Sequence, residues 1–252
     1  MPVLVTGATG CVGRALIPKL VEYGGQVRVY VRRDVPEYRG LGVHVAIGEA
    51  DHEGRLESAL EQVHTLVHLT GGIDLDPGIS LDWLNLTSTE VAIRAAENAE
   101  VRRILFLSHV GADPSSDHPY LAAKGAAEAA VRGSRLEHAV FRCTPIWGPG
   151  SVLSRFIEKG ATTQARMNPL AVGDVVAALV AADTRDAELR DVWELGGPEQ
   201  MSLQELAERA GAKRRALPPR GLPKVGALYL RDRIADPSEA VRQFGLTLTP
   251  VV

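Results

Sequence analysis

Over the first 150 residues, short apolar runs rich in β-branched residues alternate with segments whose apolar positions recur at helical spacing. Val3 to Thr6, Val27 to Val31, Val43 to Ile47, Thr65 to Leu69, Ile104 to Ser108 and Ala139 to Arg142 predict strands. Their nearly unbroken apolar character predicts burial on both faces, as in a parallel sheet. Helical spacing fills the intervals at about 11–23, 53–61, 80–98 and 119–132. This strand-helix rhythm predicts an α/β fold, a doubly wound parallel sheet with right-handed crossovers. The rhythm changes after Trp147-Gly148-Pro149-Gly150. Helical segments at roughly 151–158, 171–184, 202–210 and 236–243 then outnumber one clear strand, Val192 to Leu195. The expected division is a core over 1–150 and a small, mainly helical lobe over 151–252 whose one strand returns to the core. The Pro- and Arg-rich stretch Lys213 to Pro223 reads as an exposed connector.

Composition narrows the function classes. The chain has 252 residues, 45% hydrophobic and 23% charged, with a net charge of −3. Its longest basic run is the short stretch Lys213 to Arg215, so no nucleic-acid footprint is expected, and a small diffusible molecule is the expected partner. Cys11 and Cys143 belong to no metal-type cluster or CxxC pair, which points away from zinc and disulfides and toward a reducing compartment. The chain enters its first strand at once, with no charged and apolar leader. Its longest apolar stretch, Leu170 to Ala182, contains Asp174 and is shorter than the ~20 residues of a membrane span. A cytoplasmic protein without membrane insertion is therefore expected.

Gly7-Ala8-Thr9-Gly10-Cys11-Val12-Gly13 follows the first strand and opens a helix, the context of a Rossmann loop that cradles a dinucleotide pyrophosphate. Gly7 permits the turn, Gly10 lets backbone approach the phosphates, and Gly13 lets helix and strand pack closely. Thr9, Cys11 and Val12 complete the loop, and the helix N-terminus offers unpaired N–H groups to the anion. Cys11 is read as a packing residue. At the end of the second strand, where an acidic residue would hold the ribose of NAD(H), stand Arg32 and Arg33. Guanidinium groups there suit a 2′-phosphate, so NADP(H) is expected over NAD(H), with Asp34 favouring the alternative. Asp51 is a candidate acceptor for the adenine amino group, and Thr70-Gly71-Gly72 bring flexible backbone past the cofactor ribose.

Ser108 closes the fifth strand, and twelve residues later Tyr120 and Lys124 stand at i,i+4 on one helix that opens with Pro119. The ammonium is expected to pull the phenol below its ordinary pKa of ~10, suiting it to proton exchange while Ser108 binds the substrate oxygen. His109 and His118 are read as packing or surface residues, and Ser115 and Ser116 as turn residues.

TGATGCVG, the strand-ending Ser108 and YLAAK together resemble the short-chain dehydrogenases/reductases, over nearly the whole chain. LSHVGADPSSDHPYLAAKGAAE and ELGGPEQMSLQELAE are more similar to the atypical branch that holds the accessory subunit of respiratory complex I and the nitrogen-repression regulators. That resemblance implies an active-site-supporting role for Asn85 and a NAD(P)-dependent oxidoreductase acting on a small carbonyl or hydroxyl compound. A non-catalytic NADP(H) sensor or assembly protein is the second expectation. An epimerase or dehydratase, with Arg155 and Arg231 as candidate diphosphate contacts, is the third. Trp147, Phe156, Met167 and Trp193 are expected in a substrate pocket or in the core. The helices near 80–98 and 119–132 could present faces to a second copy in a homodimer.

Overall fold

The computed structural model describes residues 2–73, 78–212, 215–216 and 227–251. Of the stretch Lys213 to Pro223, Arg215 and Ala216 alone lie within the described residues. Six strands, β1 (Val3–Thr6), β2 (Val27–Val31), β3 (His44–Ile47), β4 (Thr65–His68), β5 (Arg103–His109) and β6 (Glu137–Cys143), form one parallel sheet. Three two-stranded pairs lie outside it: β7 (Ile146–Trp147) with β10 (Leu170–Ala171), β8 (Ala161–Thr162) with β13 (Arg215–Ala216), and β9 (Arg166–Met167) with β12 (Met201–Ser202). The sheet gains its seventh strand from β11 (Arg190–Leu195), which pairs parallel with β6, and its order is β11-β6-β5-β4-β1-β2-β3. Order reverses between β1 and β4, which opens a crevice at their carboxyl ends where α/β sheets bind ligands.

Both faces of the sheet are covered, as the apolar strands require. On one face Val5, Leu105 and Phe141 pack under α1 (Cys11–Glu22), α7 (Val172–Asp183) and α9 (Ser238–Phe244). On the other, Leu4, Leu66, Ile104 and Phe106 pack under α3 (Glu53–Leu60), α4 (Ser88–Asn98) and α5 (Pro119–Gly133). A third apolar cluster joins α6 (Val152–Glu158) and α8 (Leu203–Arg209) to Tyr120 and Leu121 of α5. Two of the helices expected in the lobe, α7 and α9, thus pack on the sheet.

Three local features depart from the expected pattern. A short helix, α2 (Pro36–Gly40), stands where no helix is expected, with its proline in the first turn. The helix expected over 80–98 carries a wide turn of π type, Trp83–Thr87, ahead of α4. The fifth strand starts at Arg103, a residue with no solvent exposure. Arg103 is tolerated because its guanidinium is fully engaged, by Glu137 Oε2 at 2.8 Å and by the carbonyls of Ala182, Arg185 and Ala187. Among the described residues no helix is long and apolar enough to cross a membrane.

Candidate functional site

The three loop glycines answer to different constraints. Gly7 has φ +64°, and a Cβ there would stand 2.5 Å from the Leu69 carbonyl carbon. A Cβ on Gly13 would stand 2.5 Å from the Ala8 oxygen, so close packing of α1 on the loop demands glycine. At Gly10 a Cβ would meet, among the described residues beyond its chain neighbours, the Gly7 oxygen alone, at a tight 3.3 Å. The protein's own packing therefore crowds Gly10 far less than Gly7 or Gly13, and α1 begins there with no side-chain cap on its first N–H groups. The loop is held from α2, where the Tyr38 hydroxyl donates to the Ala8 carbonyl at 2.6 Å.

Two cavities, of about 210 and 260 Å³, meet along Gly7, Gly10, Leu69 and Gly71. Cys11, Val12, Gly13, Ser108, Tyr120 and Lys124 line the first. Thr9, Arg32 and Thr70 line the second, together with Tyr30 and Ala50. Arg33 lies in an adjoining hollow with Thr9, Arg14, Arg32 and Asp34. Asp34 is engaged by Arg39 at 2.9 Å. Asp51 is exposed and outside the lining, where Gly48 and Ala50 stand. A two-lobed space waisted at Gly10 and an uncapped helix start fits a dinucleotide with its pyrophosphate at the waist.

Asn85 sits behind the first cavity, fully buried on the π turn. Its Nδ2 donates to the carbonyls of Gly72 and Leu81, each at 2.9 Å, and its Oδ1 accepts from Gly72 N–H at 2.9 Å. Beneath it a buried chain runs through Thr89, His68 and Thr6. Thr89 Oγ1 donates to the Asn85 carbonyl at 2.6 Å, and the His68 ring meets Thr89 and Thr6 at 3.2 and 2.9 Å. Burial holds His68 neutral, its pKa pushed down to about 3.

Ser108 Oγ is buried and has no hydrogen-bond partner among the described residues. Lys124 donates to the Leu107 carbonyl at 2.9 Å and lies 4.6 Å over the Phe106 ring. Burial pushes its pKa down to about 8. The expectation that Lys124 lowers the Tyr120 pKa is not met: burial pushes the phenol upward. Adjacency at i,i+4 predicts only that the two side chains are neighbours, whereas both are removed from water and the ammonium is turned to a carbonyl. Tyr120 is wedged between His109 and His118, whose rings meet it edge-on at 5.8 and 6.5 Å. Burial also keeps His109 neutral, pushed down to about 4.

Of the other expected residues, Cys11 stays in the lining of the first cavity and the rest lie elsewhere. Burial raises the Cys11 thiol, in keeping with packing. Ser115 closes a turn on Asp113 Oδ1 at 2.7 Å through its N–H, and Ser116 Oγ accepts from His118 N–H at 3.2 Å. Trp193 packs in the core against Phe141 and Phe244, while Phe156 and Met167 lie in the third cluster with Trp147 against it. None of these four lines either cavity. An apolar wall of the first cavity is formed instead by Ile73, Val152, Leu153, Leu228 and Tyr229, which no local pattern announced. Among the described residues no group of three or more His, Cys, Asp or Glu could hold a metal.

A family model described as NAD(P)H-binding matches residues 7–183. The chain is 31% identical over 225 residues to NADH dehydrogenase [ubiquinone] 1 alpha subcomplex subunit 9, mitochondrial, of Arabidopsis thaliana, covering 81% of this chain and 56% of that protein. It is 31% identical over 243 residues to the ceramide reductase of Caulobacter vibrioides, covering 90% of this chain and 76% of the relative. The chain thus spans little more than half the length of the plant relative. Its fold matches MoeE5 in complex with UDP-glucuronic acid and NAD, with a TM-score of 0.80 at 23% identity over 100% of this chain and 95% of that one. The glycine loop, the crevice above it and the family match over 7–183 agree, and the chain belongs to the NAD(P)H-binding Rossmann family.

Proposed function

We propose that the chain is an NADP(H)-dependent oxidoreductase of the short-chain dehydrogenase/reductase type, acting on a small carbonyl or hydroxyl compound. Ser108, Tyr120 and Lys124 are its catalytic residues and Asn85 positions them. The observation that carries this reading is the buried Ser108 Oγ, unpartnered among the described residues, which lines one cavity together with Tyr120 and Lys124 beside the glycine loop. A buried hydroxyl without a partner is costly unless a ligand completes it. The reductase name of the Caulobacter relative supports the same class.

A nicotinamide bound in this crevice would supply or accept the hydride. Ser108 donates a hydrogen bond to the substrate oxygen, and Tyr120, protonated because it is buried, passes the proton of its hydroxyl to that oxygen in the reductive direction. Lys124, whose Nζ lies beside Gly71, would hold the cofactor ribose hydroxyls. Asn85 fixes the backbone at Gly72 and Leu81 and so keeps that wall in place. Arg14, Arg32 and Arg33 around the outer hollow, with Asp34 taken up by Arg39, support a 2′-phosphate and hence NADP(H).

The test is NADPH oxidation by purified protein over a panel of aldehydes and ketones. Tyr120→Phe is expected to lower kcat by about 10²- to 10⁴-fold while NADPH binding persists. Equal rates for variant and parent would overturn the reading. A second reading, a protein that reports cofactor occupancy to a partner, is supported by the complex I name of the plant relative. Tight NADPH binding without turnover, with stable co-purification with a membrane complex, would favour it. The epimerase alternative draws no support from Arg231, paired with Asp117 at 2.8 Å, or from Arg155, whose Nη1 donates to the Gly150 carbonyl at 2.7 Å.

A further inference from the structure

Resting on the oxidoreductase reading, we infer that the substrate is an uncharged carbonyl or hydroxyl compound whose apolar substituent lies against Ile73, Leu153, Leu228 and Tyr229. Those four side chains line the first cavity and belong to the same buried apolar cluster as Tyr120. A group bonded at Ser108 and Tyr120 would have its hydrocarbon portion against them. The wall is rigidly backed: the Tyr229 ring packs on Phe156 at 5.1 Å, and its carbonyl accepts from Thr163 Oγ1 at 2.9 Å. Apolar surface in a preformed cavity rewards a hydrocarbon group at roughly 25 cal/mol per Å² removed from water.

A charged group finds little at the apolar wall. Burial keeps His109 neutral and raises the phenols of Tyr120 and Tyr229 and the Cys143 thiol, so these lining groups carry no charge near neutral pH. Lys124 is the one lining cation among the described residues. Its Nζ is turned to the Leu107 carbonyl and lies 2.9 Å from the point where a Cβ on Gly71 would stand, on the glycine-loop side rather than at the apolar wall. Arg231 and Arg155 are absent from the lining. A carboxylate or phosphate at the wall would lose its hydration with no cation among the described wall residues to replace it, since Arg155 and Arg233 act on Tyr229 and His109 only from outside the lining.

The experiment compares two ketones of matched length, 2-hexanone and 5-oxohexanoate, with parent protein and Val152→Lys. Val152 is a half-buried lining residue outside the catalytic set, so a lysine can be borne there. Turnover with NADPH is followed alongside calorimetric binding of each ketone to the protein saturated with NADP⁺. The neutral ketone is expected to be favoured by more than about tenfold in kcat/KM, with the preference narrowed in Val152→Lys by a gain for the oxo acid. If neither is turned over but 2-hexanone binds selectively and Val152→Lys erases that selectivity, the oxidoreductase reading fails while the ligand class stands. Equal or better use of 5-oxohexanoate by the parent, or binding of neither ketone, overturns the inference.

Discussion

Asn85 and Lys124 converge over Gly71: the asparagine Oδ1 and the lysine Nζ lie 2.8 and 2.9 Å from the point a Cβ on that glycine would occupy. Gly71 also has φ +141°, a conformation few side-chain-bearing residues adopt. Gly71→Ala should therefore strain the backbone and displace both polar groups. The expected loss is about 1–3 kcal/mol of stability, together with a fall in turnover. Denaturant titration and steady-state rates check this, and an alanine variant as stable and active as the parent would contradict it.

Replacing Arg32 and Arg33 by alanine should separate the two cofactors. The double variant is expected to lose about tenfold to a hundredfold in NADPH affinity, as charge-assisted bonds to the 2′-phosphate vanish, while NADH affinity holds within about threefold. Fluorescence titration with each dinucleotide decides it. Equal losses for both would place the arginines outside 2′-phosphate recognition.

Stability should fall with acid through the buried histidines. His109 and His68 ordinarily titrate at 6.5, but the fold pushes them down to about 4 and about 3. Below pH 6.5 the unfolded chain gains protons that the folded chain does not. Stability is therefore lost as pH falls from 6.5 toward those values, by up to ~1.4 kcal/mol per pH unit for each group. Lys124, pushed from 10.5 to about 8, acts in the alkaline window, where stability contributed by this group rises between pH 8 and 10.5. Thermal melts from pH 4 to 7 should show a shallower decline in His109→Gln than in the parent. An identical slope would be the contrary result.

Arg103→Met tests the buried guanidinium. The change leaves Glu137 with Arg102 alone, at 2.7 Å, and strands three buried carbonyls, so about 2–4 kcal/mol should be lost by denaturant unfolding. Folded variant protein should bind NADPH as the parent does, because the residue lies at the opposite end of β5 from Ser108. A loss below about 1 kcal/mol would show that the network contributes little.

The parts of this molecule legible in advance are those written locally. The glycine spacing after β1, the strand-ending Ser108 and the Tyr120–Lys124 spacing all lie within short windows, and apolar runs marked the six N-terminal strands and β11. What escaped depends on partners far along the chain. Tyr38 reaches back to Ala8 from a helix too short to announce itself, and Arg103 is hidden by carbonyls some eighty residues away. Leu228 and Tyr229 join the cavity wall from far along the chain, held by packing and by hydrogen bonds from Arg233 and Thr163 to their carbonyls. The direction of the Tyr120 shift escaped for a related reason: helical spacing reports who is adjacent, while desolvation depends on everything that covers the pair.

The central claim, that a dinucleotide lies across Gly10 of the first loop, is tested most directly by calorimetry of NADPH and NADH with the parent protein and Gly10→Ala. Among the described residues beyond its chain neighbours the added methyl meets the Gly7 oxygen, at 3.3 Å, which must give by a few tenths of an ångström, so the variant should fold and melt within a few degrees of the parent. Uptake of NADPH by the parent, weakened more than about tenfold in Gly10→Ala, is the expected result. A parent that takes up neither dinucleotide, or a variant that binds as tightly as the parent, would contradict it.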